Sequence, residues 1–263
     1  MSDRHSLLRL CMIICLVSLL GVSMSGSAEA GLFGFGGDSW QEEVLLHDGN
    51  KIVITRSQTY GGRHEIGQPL PIKEHTIIFM LPNTNKTITW TSEYDESLGR
   101  TDFKPLALHV LNNTPYIIVT PNLMLSYNKW GRPNPPYVCF KYEDSKWKRI
   151  AIEEVPPEFQ TINLVIDTLT DGEKLNSQGF ASLEMVARLN GSLTQEEYKT
   201  IHRMPLDHWK PRKSGMMVRT EDGGWIGIDW FEIQPSLKAC LAKCTREKVS
   251  VQDCPCHTLF EGK

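Results

Sequence analysis

The fold is set first by the sequence VLLHDGNKIVITR, which occupies residues 44–56. Two apolar runs, Val44 to His47 and Lys51 to Arg56, flank the pair Asp48-Gly49, and both turn residues tolerate a positive φ. The second run is rich in β-branched residues, which is typical of a strand on a half-buried sheet. The stretch therefore predicts an antiparallel hairpin.

Three further pairs of apolar runs follow, each split by polar turn residues. They are His75–Leu81 with Lys86–Thr91, Leu106–Leu111 with Tyr116–Thr120, and Tyr137–Tyr142 with Lys146–Ile152. The stretch of chain from one of these turns to the next holds two or three predicted strands, whereas a propeller blade needs four strands. We therefore predict a mainly β fold of antiparallel hairpins over residues 41–157, forming a sandwich or a curved sheet, with a degenerate propeller as the alternative.

The chain changes character after Pro156-Pro157, where helical patterns appear among the strands. We expect residues 158–235 to form a smaller α-containing extension packed on the β domain. Its predicted elements are a strand at Ile162–Ile166, a helix at Phe180–Leu189, a short helix from a Thr194/Glu197 capping box to His202, and a hairpin turned at Asp222-Gly223-Gly224 whose second strand runs to Ile233.

Residues 1–30 have the parts of an export signal. Arg4 and Arg9 precede an uncharged run at residues 10–24, and small residues ending in Ala28-Glu29-Ala30 follow it. The run falls short of the roughly 20 residues that a membrane span needs. We predict cleavage after Ala30, no span in the mature chain, and a periplasmic or extracellular location; an uncleaved signal anchor is the alternative. A flexible glycine-rich arm is expected at residues 31–40.

The last segment, residues 236–263, holds four cysteines. Ser236 is a suitable cap for a helix over Leu237–Lys248, which places Cys240 and Cys244 on one face. We expect Cys254-Pro255-Cys256 to be extended and to return antiparallel to the helix. The matched spacings predict the disulfides Cys244–Cys254 and Cys240–Cys256, which an oxidising destination favours.

Two alternatives to a structural pair of disulfides remain at the tail. A zinc site made by the four thiolates, with His257 replacing one of them, is the first; a redox-active pair is the second. The spacings match neither the common C-x2-C zinc knuckle nor the C-x-x-C redox motif. Cys139 lies inside an apolar run, and we expect a buried free thiol.

Few stretches of the sequence carry residues suited to catalysis or binding. Arg63, His64 and Glu65 put a cation, a base and a carboxylate on one glycine-rich loop, which makes His64 and Glu65 weak catalytic candidates. Trp130, Arg132 and Tyr137 flank a proline-rich stretch and are residue types that anchor recognition sites. The alternative for these aromatics is packing on the core.

These observations favour a non-enzymatic role in binding or scaffolding within the cell envelope. The formal net charge of −3 gives no reason to expect nucleic acid as a partner. We expect a monomer that binds an envelope protein or a glycan, and no metal or other cofactor. The alternatives are a periplasmic hydrolase with its site near Arg63, His64 and Glu65, and a protein that handles thiols or metal through the cysteine tail.

Overall fold

A computed structural model of the protein describes residues 37–207 and 216–260, and the predicted hairpins dominate it. The export signal and residues 31–36 of the arm lie outside the described residues. The strands are β1 (Gly37–Leu45), β2 (Lys51–Tyr60), β3 (Ile72–Met80), β4 (Thr87–Thr91), β5 (Tyr94–Asp95), β6 (Arg100–Thr101), β7 (Phe103–Leu111), β8 (Thr114–Pro121), β9 (Val138–Glu143), β10 (Lys146–Ile150), β11 (Phe180–Ala181), β12 (Met217–Arg219) and β13 (Trp225–Gly227).

Two larger sheets form the body of the molecule. The first has the order β11-β1-β2-β3-β4 and is antiparallel except for the short β1–β11 pair; the second has the order β10-β9-β8-β7 and is antiparallel throughout. One apolar core joins them, with Val44, Ile54 and Ile77 from the first sheet and Leu108 and Ile117 from the second. The predicted mainly β fold is therefore confirmed, and the shared core makes it a two-sheet sandwich.

Six helices lie among the described residues. They are α1 (Leu123–Lys129), α2 (Thr168–Gln178), α3 (Leu183–Gly191), α4 (Asp229–Glu232), α5 (Leu237–Arg246) and α6 (Cys256–Phe260). Within the described part of the chain, none has the length and apolar character needed to cross a bilayer.

The segment after residue 152 covers the outer face of the second sheet. Phe159, Ile166 and Ile201 pack there against Leu106 and Ile118 in a second apolar core. Helices α2 and α3 cover the end of β1, where Leu175 and Val186 meet Trp40. Since the described residues belong to one compact unit, the extension and the sandwich share their packing.

A buried ion pair fixes the segment that leads into α2. The Glu42 carboxylate lies 3.1 Å from Arg56 Nη1, and both side chains are excluded from solvent. Glu42 Oε1 accepts a hydrogen bond from the Val165 amide at 2.7 Å, and Arg56 Nη1 donates to the Val165 carbonyl at 2.7 Å. These side chains satisfy backbone groups that would otherwise be buried without a partner.

Several predicted elements of the extension differ from the structure. Ile162–Ile166 forms no strand: the Asn163 and Leu164 amides share the one Leu106 carbonyl of β7, and side chains bind the two amides that follow. The predicted helix at Phe180–Leu189 begins later, at Leu183, because Phe180 and Ala181 pair with β1. The Thr194/Glu197 helix is only a 3-10 turn at Glu196–Tyr198 without a side-chain cap.

Three boundaries also differ from the sequence-based expectation. The second strand of the Asp222-Gly223-Gly224 hairpin ends at Gly227, and α4 replaces its predicted continuation to Ile233. The last four residues of the predicted arm at residues 31–40 belong to strand β1. Cys256 begins α6, so the Cys254-Pro255-Cys256 tail is not extended throughout.

Candidate functional site

The loop that carries His64 and Glu65 is exposed and contains no assembled catalytic group. His64 Nδ1 lies 3.1 Å from the Gly62 carbonyl of its own loop, and the Arg63 amide donates to the Gly99 carbonyl at 3.1 Å. Among the described residues, no hydrogen bond links His64 to Glu65 or to a nucleophile. The structure brings Arg63, His64 and Glu65 to one surface loop but not into a cleft.

The two aromatic residues of the proline-rich stretch pack on the sandwich. The Trp130 ring lies 4.6 Å from that of Phe103, and its Nε1 donates to Asp102 Oδ2 at 3.2 Å. Tyr137 is buried, and its hydroxyl donates to the Thr200 carbonyl at 3.0 Å. Burial raises the pKa of this phenol above its usual range. Both aromatic residues thus contribute to folding through their packing.

Arg132, by contrast, connects the sandwich to the C-terminal hairpin. Its Nη2 donates to the Met217 carbonyl at 2.8 Å, and its Nε donates to Asn128 Oδ1 at 2.6 Å. Asn128 Oδ1 also accepts from the Met217 amide at 3.2 Å. The two side chains together bind both backbone groups of Met217 and so take the place of a neighbouring strand for β12. Partial burial lowers the pKa of Arg132.

The four tail cysteines form the two predicted disulfides, Cys240–Cys256 and Cys244–Cys254. Ser236 caps α5 as predicted, since its hydroxyl accepts from the Ala239 amide. The disulfides form the centre of a small third core, which includes the buried side chains of Val218, Phe231 and Val249. A hairpin and three short helices could not bury much apolar surface alone, so the covalent links replace core size.

The zinc alternative has a geometric basis in the same cluster. The sulfurs of Cys244, Cys254 and Cys256 all lie within 4.8 Å of one another, and Cys244 Sγ is 3.5 Å from Cys256 Sγ. All of them are engaged in disulfides, whereas a zinc ligand is a thiolate. A metal site here would therefore require reduction of both bonds.

Cys139 is the one free cysteine among the described residues, and it is buried as expected. It lies in the second apolar core together with Ile118 and Tyr137. Burial raises the pKa of its thiol to about 12, so the reactive thiolate is scarcely populated at neutral pH. Cys139 acts as a small apolar side chain in the core.

A large groove separates the sandwich from the disulfide core. We call it the tail groove. Its volume is about 960 Å³, and one wall is formed by α1 and the following loop through Asn128, Lys129, Gly131 and Arg132. The other walls come from β12, β13, α4 and the cysteine tail: Met216, Met217, Val218, Arg219, Trp225, Ile228, Glu232, Ile233, Gln252, Asp253, Cys254, Pro255, Thr258 and Leu259.

Two side chains of the tail groove are candidates for contact with a ligand. Trp225 Nε1 is buried and has no hydrogen-bond partner among the described residues. The exposed Arg219 guanidinium lies 5.6 Å from the centre of the Trp225 ring. A buried indole N–H without an acceptor is costly, and a ligand carbonyl or carboxylate would satisfy it. Met216 and Met217 add flexible apolar contact surface.

Of the residues singled out in the sequence, only Arg132 and the tail cysteine Cys254 line this groove. Sequence reasoning missed Trp225, Arg219 and Ile233 as binding candidates. The signal available for the first two was a tryptophan and an arginine that face each other across the Asp222-Gly223-Gly224 turn.

No protein-family model matches the chain, and neither a curated protein nor a solved structure shows significant similarity to it.

Proposed function

We propose that this protein is a non-enzymatic exported binding protein that holds a polypeptide segment of a partner in the tail groove. The observation that carries the proposal is a groove of mixed polar and apolar lining, in which an indole N–H has no acceptor and an arginine has no carboxylate partner among the described residues. Aromatic residues, methionine and arginine are the types enriched in protein interfaces.

The dimensions and the rim of the groove favour a polypeptide over a small metabolite. The volume of about 960 Å³ lies at the upper end of the range for ligand pockets, roughly 300–1,000 Å³. Ile233 lines the groove with 70% of its surface exposed, and Trp230, Leu237 and Leu241 are exposed on the adjacent helices α4 and α5. Large exposed apolar side chains beside a groove are typical of surfaces that bind proteins.

The lining also indicates what the bound segment must carry. Met217, Ile228 and Leu259 offer contact for aliphatic or aromatic side chains. Arg219 has no carboxylate partner among the described residues, so an acidic side chain or a C-terminal carboxylate would pair with it. Trp225 Nε1 would donate to a backbone carbonyl of the segment. A glycan would leave most of the apolar lining without a partner.

Export remains part of the proposal, and the disulfides support it. Two disulfides in the core of the tail segment suit an oxidising compartment. The exposed position of His64 and Glu65 gives no support to the hydrolase alternative. The thiol or metal alternative would require a reduced tail.

A random-peptide display experiment tests the proposed function with a matched control. The full chain, with its disulfides formed, is panned against a library of displayed decapeptides. Ile233→Asp introduces a charge at the rim of the groove, and Ile66→Asp makes the same change on the exposed loop outside it. Both changes are on the surface, so both variants should fold.

We expect the selected peptides to be apolar with at least one acidic group, and to bind the Ile66→Asp protein as well as the native protein. Their affinity for Ile233→Asp should fall about tenfold or more, the loss that a desolvated charge in an apolar contact produces. Peptides that bind both variants equally, or a library that yields no enriched sequence, would contradict the proposal.

A further inference from the structure

A second, smaller pocket lies where the N-terminus of α2 meets β3 and β7. We call it the α2 pocket. Its volume is about 100 Å³, and it is lined by Pro71, Ile72, His75, Arg100, Lys104, Asn122, Leu123, Ile166, Asp167, Thr168 and Leu169. This volume lies below the range of roughly 300–1,000 Å³ for pockets that hold drug-sized ligands, so it suits one small polar group.

The N-terminus of α2 supplies donors to the pocket. The helix has 11 residues, and its first two, Thr168 and Leu169, line the pocket. No side chain caps the helix, and the amides of Thr168 and Leu169 have no acceptor among the described residues. Free amides at the start of a helix, together with the helix dipole, attract a negatively charged group.

His75 provides independent evidence for a ligand. Its side chain is buried and forms part of the wall of the α2 pocket, and its Nδ1 has no hydrogen-bond partner among the described residues. Buried polar atoms are nearly always paired, so this end of the sandwich lacks a polar partner.

The charged side chains around the α2 pocket indicate whether the missing polar partner carries a negative or a positive charge. Lys104 and Arg100 line it, and among the described residues neither has a carboxylate within ion-pair distance. The buried Arg56 adds a third positive charge behind His75, although Glu42 neutralises it in part. Burial, followed by the charges of Arg56 and Lys104, lowers the pKa of His75 well below its usual value. Asp167 is the opposing carboxylate, and one of its oxygens accepts from the Thr170 hydroxyl at 3.0 Å.

From this geometry we infer that the α2 pocket binds one small oxyanion, a phosphate or a carboxylate group, between the first amides of α2, His75 and the side chains of Lys104 and Arg100. The neutral His75 would donate through an imidazole N–H, and Lys104 and Arg100 would provide full positive charges. The site is separate from the tail groove, since the two share no lining residue.

Nuclear magnetic resonance of the full chain tests this inference directly. Inorganic phosphate and acetate are titrated separately, and sodium chloride at equal ionic strength is the control. We expect saturable shifts of the Thr168 and Leu169 amides and of the His75 imidazole with at least one of the two oxyanions. The titration that saturates at the lower concentration identifies which chemistry the pocket prefers.

Two rim variants and one matched control complete the test. Lys104→Gln should weaken oxyanion binding about tenfold, because it removes a charge-assisted contact, and Arg100→Gln should weaken it in the same direction. Lys146→Gln removes an exposed lysine of β10 that does not line the pocket, and it should bind as the native protein does. Identical amide shifts with oxyanions and with chloride, or full affinity in Lys104→Gln, would overturn the inference.

Discussion

Removal of the Glu42 carboxylate is the perturbation whose cost the structure defines best. The carboxylate accepts hydrogen bonds from Trp40 Nε1 at 2.9 Å, from Arg56 Nη1 at 3.1 Å and from the Val165 amide at 2.7 Å. Glu42→Ala would leave the Arg56 guanidinium buried without its counter-charge. Breaking a buried pair from one side costs about 3–5 kcal/mol, a large part of a total stability of about 5–15 kcal/mol.

Urea unfolding, followed by tryptophan fluorescence, measures this cost. With a slope of about 2 kcal/mol per molar urea, the midpoint of Glu42→Ala should fall by about 2 M. Glu143→Ala is the matched control, because it removes the same carboxylate from a half-exposed pair with Lys141, and its midpoint should stay within experimental error of the native value. Adding Arg56→Met to Glu42→Ala should recover part of the loss, since no charge is then stranded.

Equal midpoints for Glu42→Ala and Glu143→Ala would refute the reasoning, because they would show that the buried pair contributes no more than a surface pair.

Three other properties can be measured on the same protein. Replacing Cys240 and Cys256 by serine should cost about 3 kcal/mol from the loop-entropy relation, since the bond closes a separation of 16 residues; thermal unfolding of the oxidised proteins measures it. Burial lowers the pKa of His109 to about 4 in the folded protein, from a value near 6.5 in the unfolded chain. The stability that the neutral His109 side chain contributes is therefore complete above pH 6.5 and is lost as the pH falls towards 4. The free energy of unfolding, measured by urea unfolding at each pH, should fall by about 3 kcal/mol across that window. His109→Gln should flatten this dependence of stability on pH. Cys139, whose pKa is raised to about 12, should resist alkylation at pH 8 in the folded protein and react in denaturant.

The hairpins could be predicted from the sequence because their signals are local. Asp48-Gly49 lies at a turn between β1 and β2, and Gly49 has a φ of 84°, which a glycine adopts without strain. The disulfide pairing could also be predicted from the sequence. The spacing of Cys240 and Cys244 along a helix matches that of Cys254 and Cys256 on either side of a proline, and an antiparallel return of the chain then pairs the cysteines as the structure has them.

The errors occurred where long-range contacts override local pattern. The run Ile162–Ile166 has the composition of a strand, yet the Val165 backbone binds Glu42 and Arg56 from distant strands. Helix α2 was missed because its sequence carries few apolar residues, and only Thr168, Gly172 and Leu175 are buried. No local pattern records either kind of contact.

Both proposed sites depend on contacts of this long-range kind. The tail groove exists because Asn128 and Arg132 bind Met217, which is more than 80 residues away along the chain. The α2 pocket combines residues from β3, β7 and the start of α2. The structure shows the packing of Trp130 and Tyr137 on the cores but does not test whether they also bind a partner, because aromatic residues serve packing and recognition equally well.

Site-specific photo-crosslinking in the producing cells tests most directly whether the tail groove binds a partner. A photoreactive phenylalanine analogue is placed at position 233 on the rim of the groove, and at position 66 as the control. We predict a discrete covalent adduct with one protein from position 233 and none from position 66, and the adduct should disappear when Trp225 is also replaced by alanine. Adducts from position 66 alone, or equal and diffuse labelling from both positions, would contradict the proposed function.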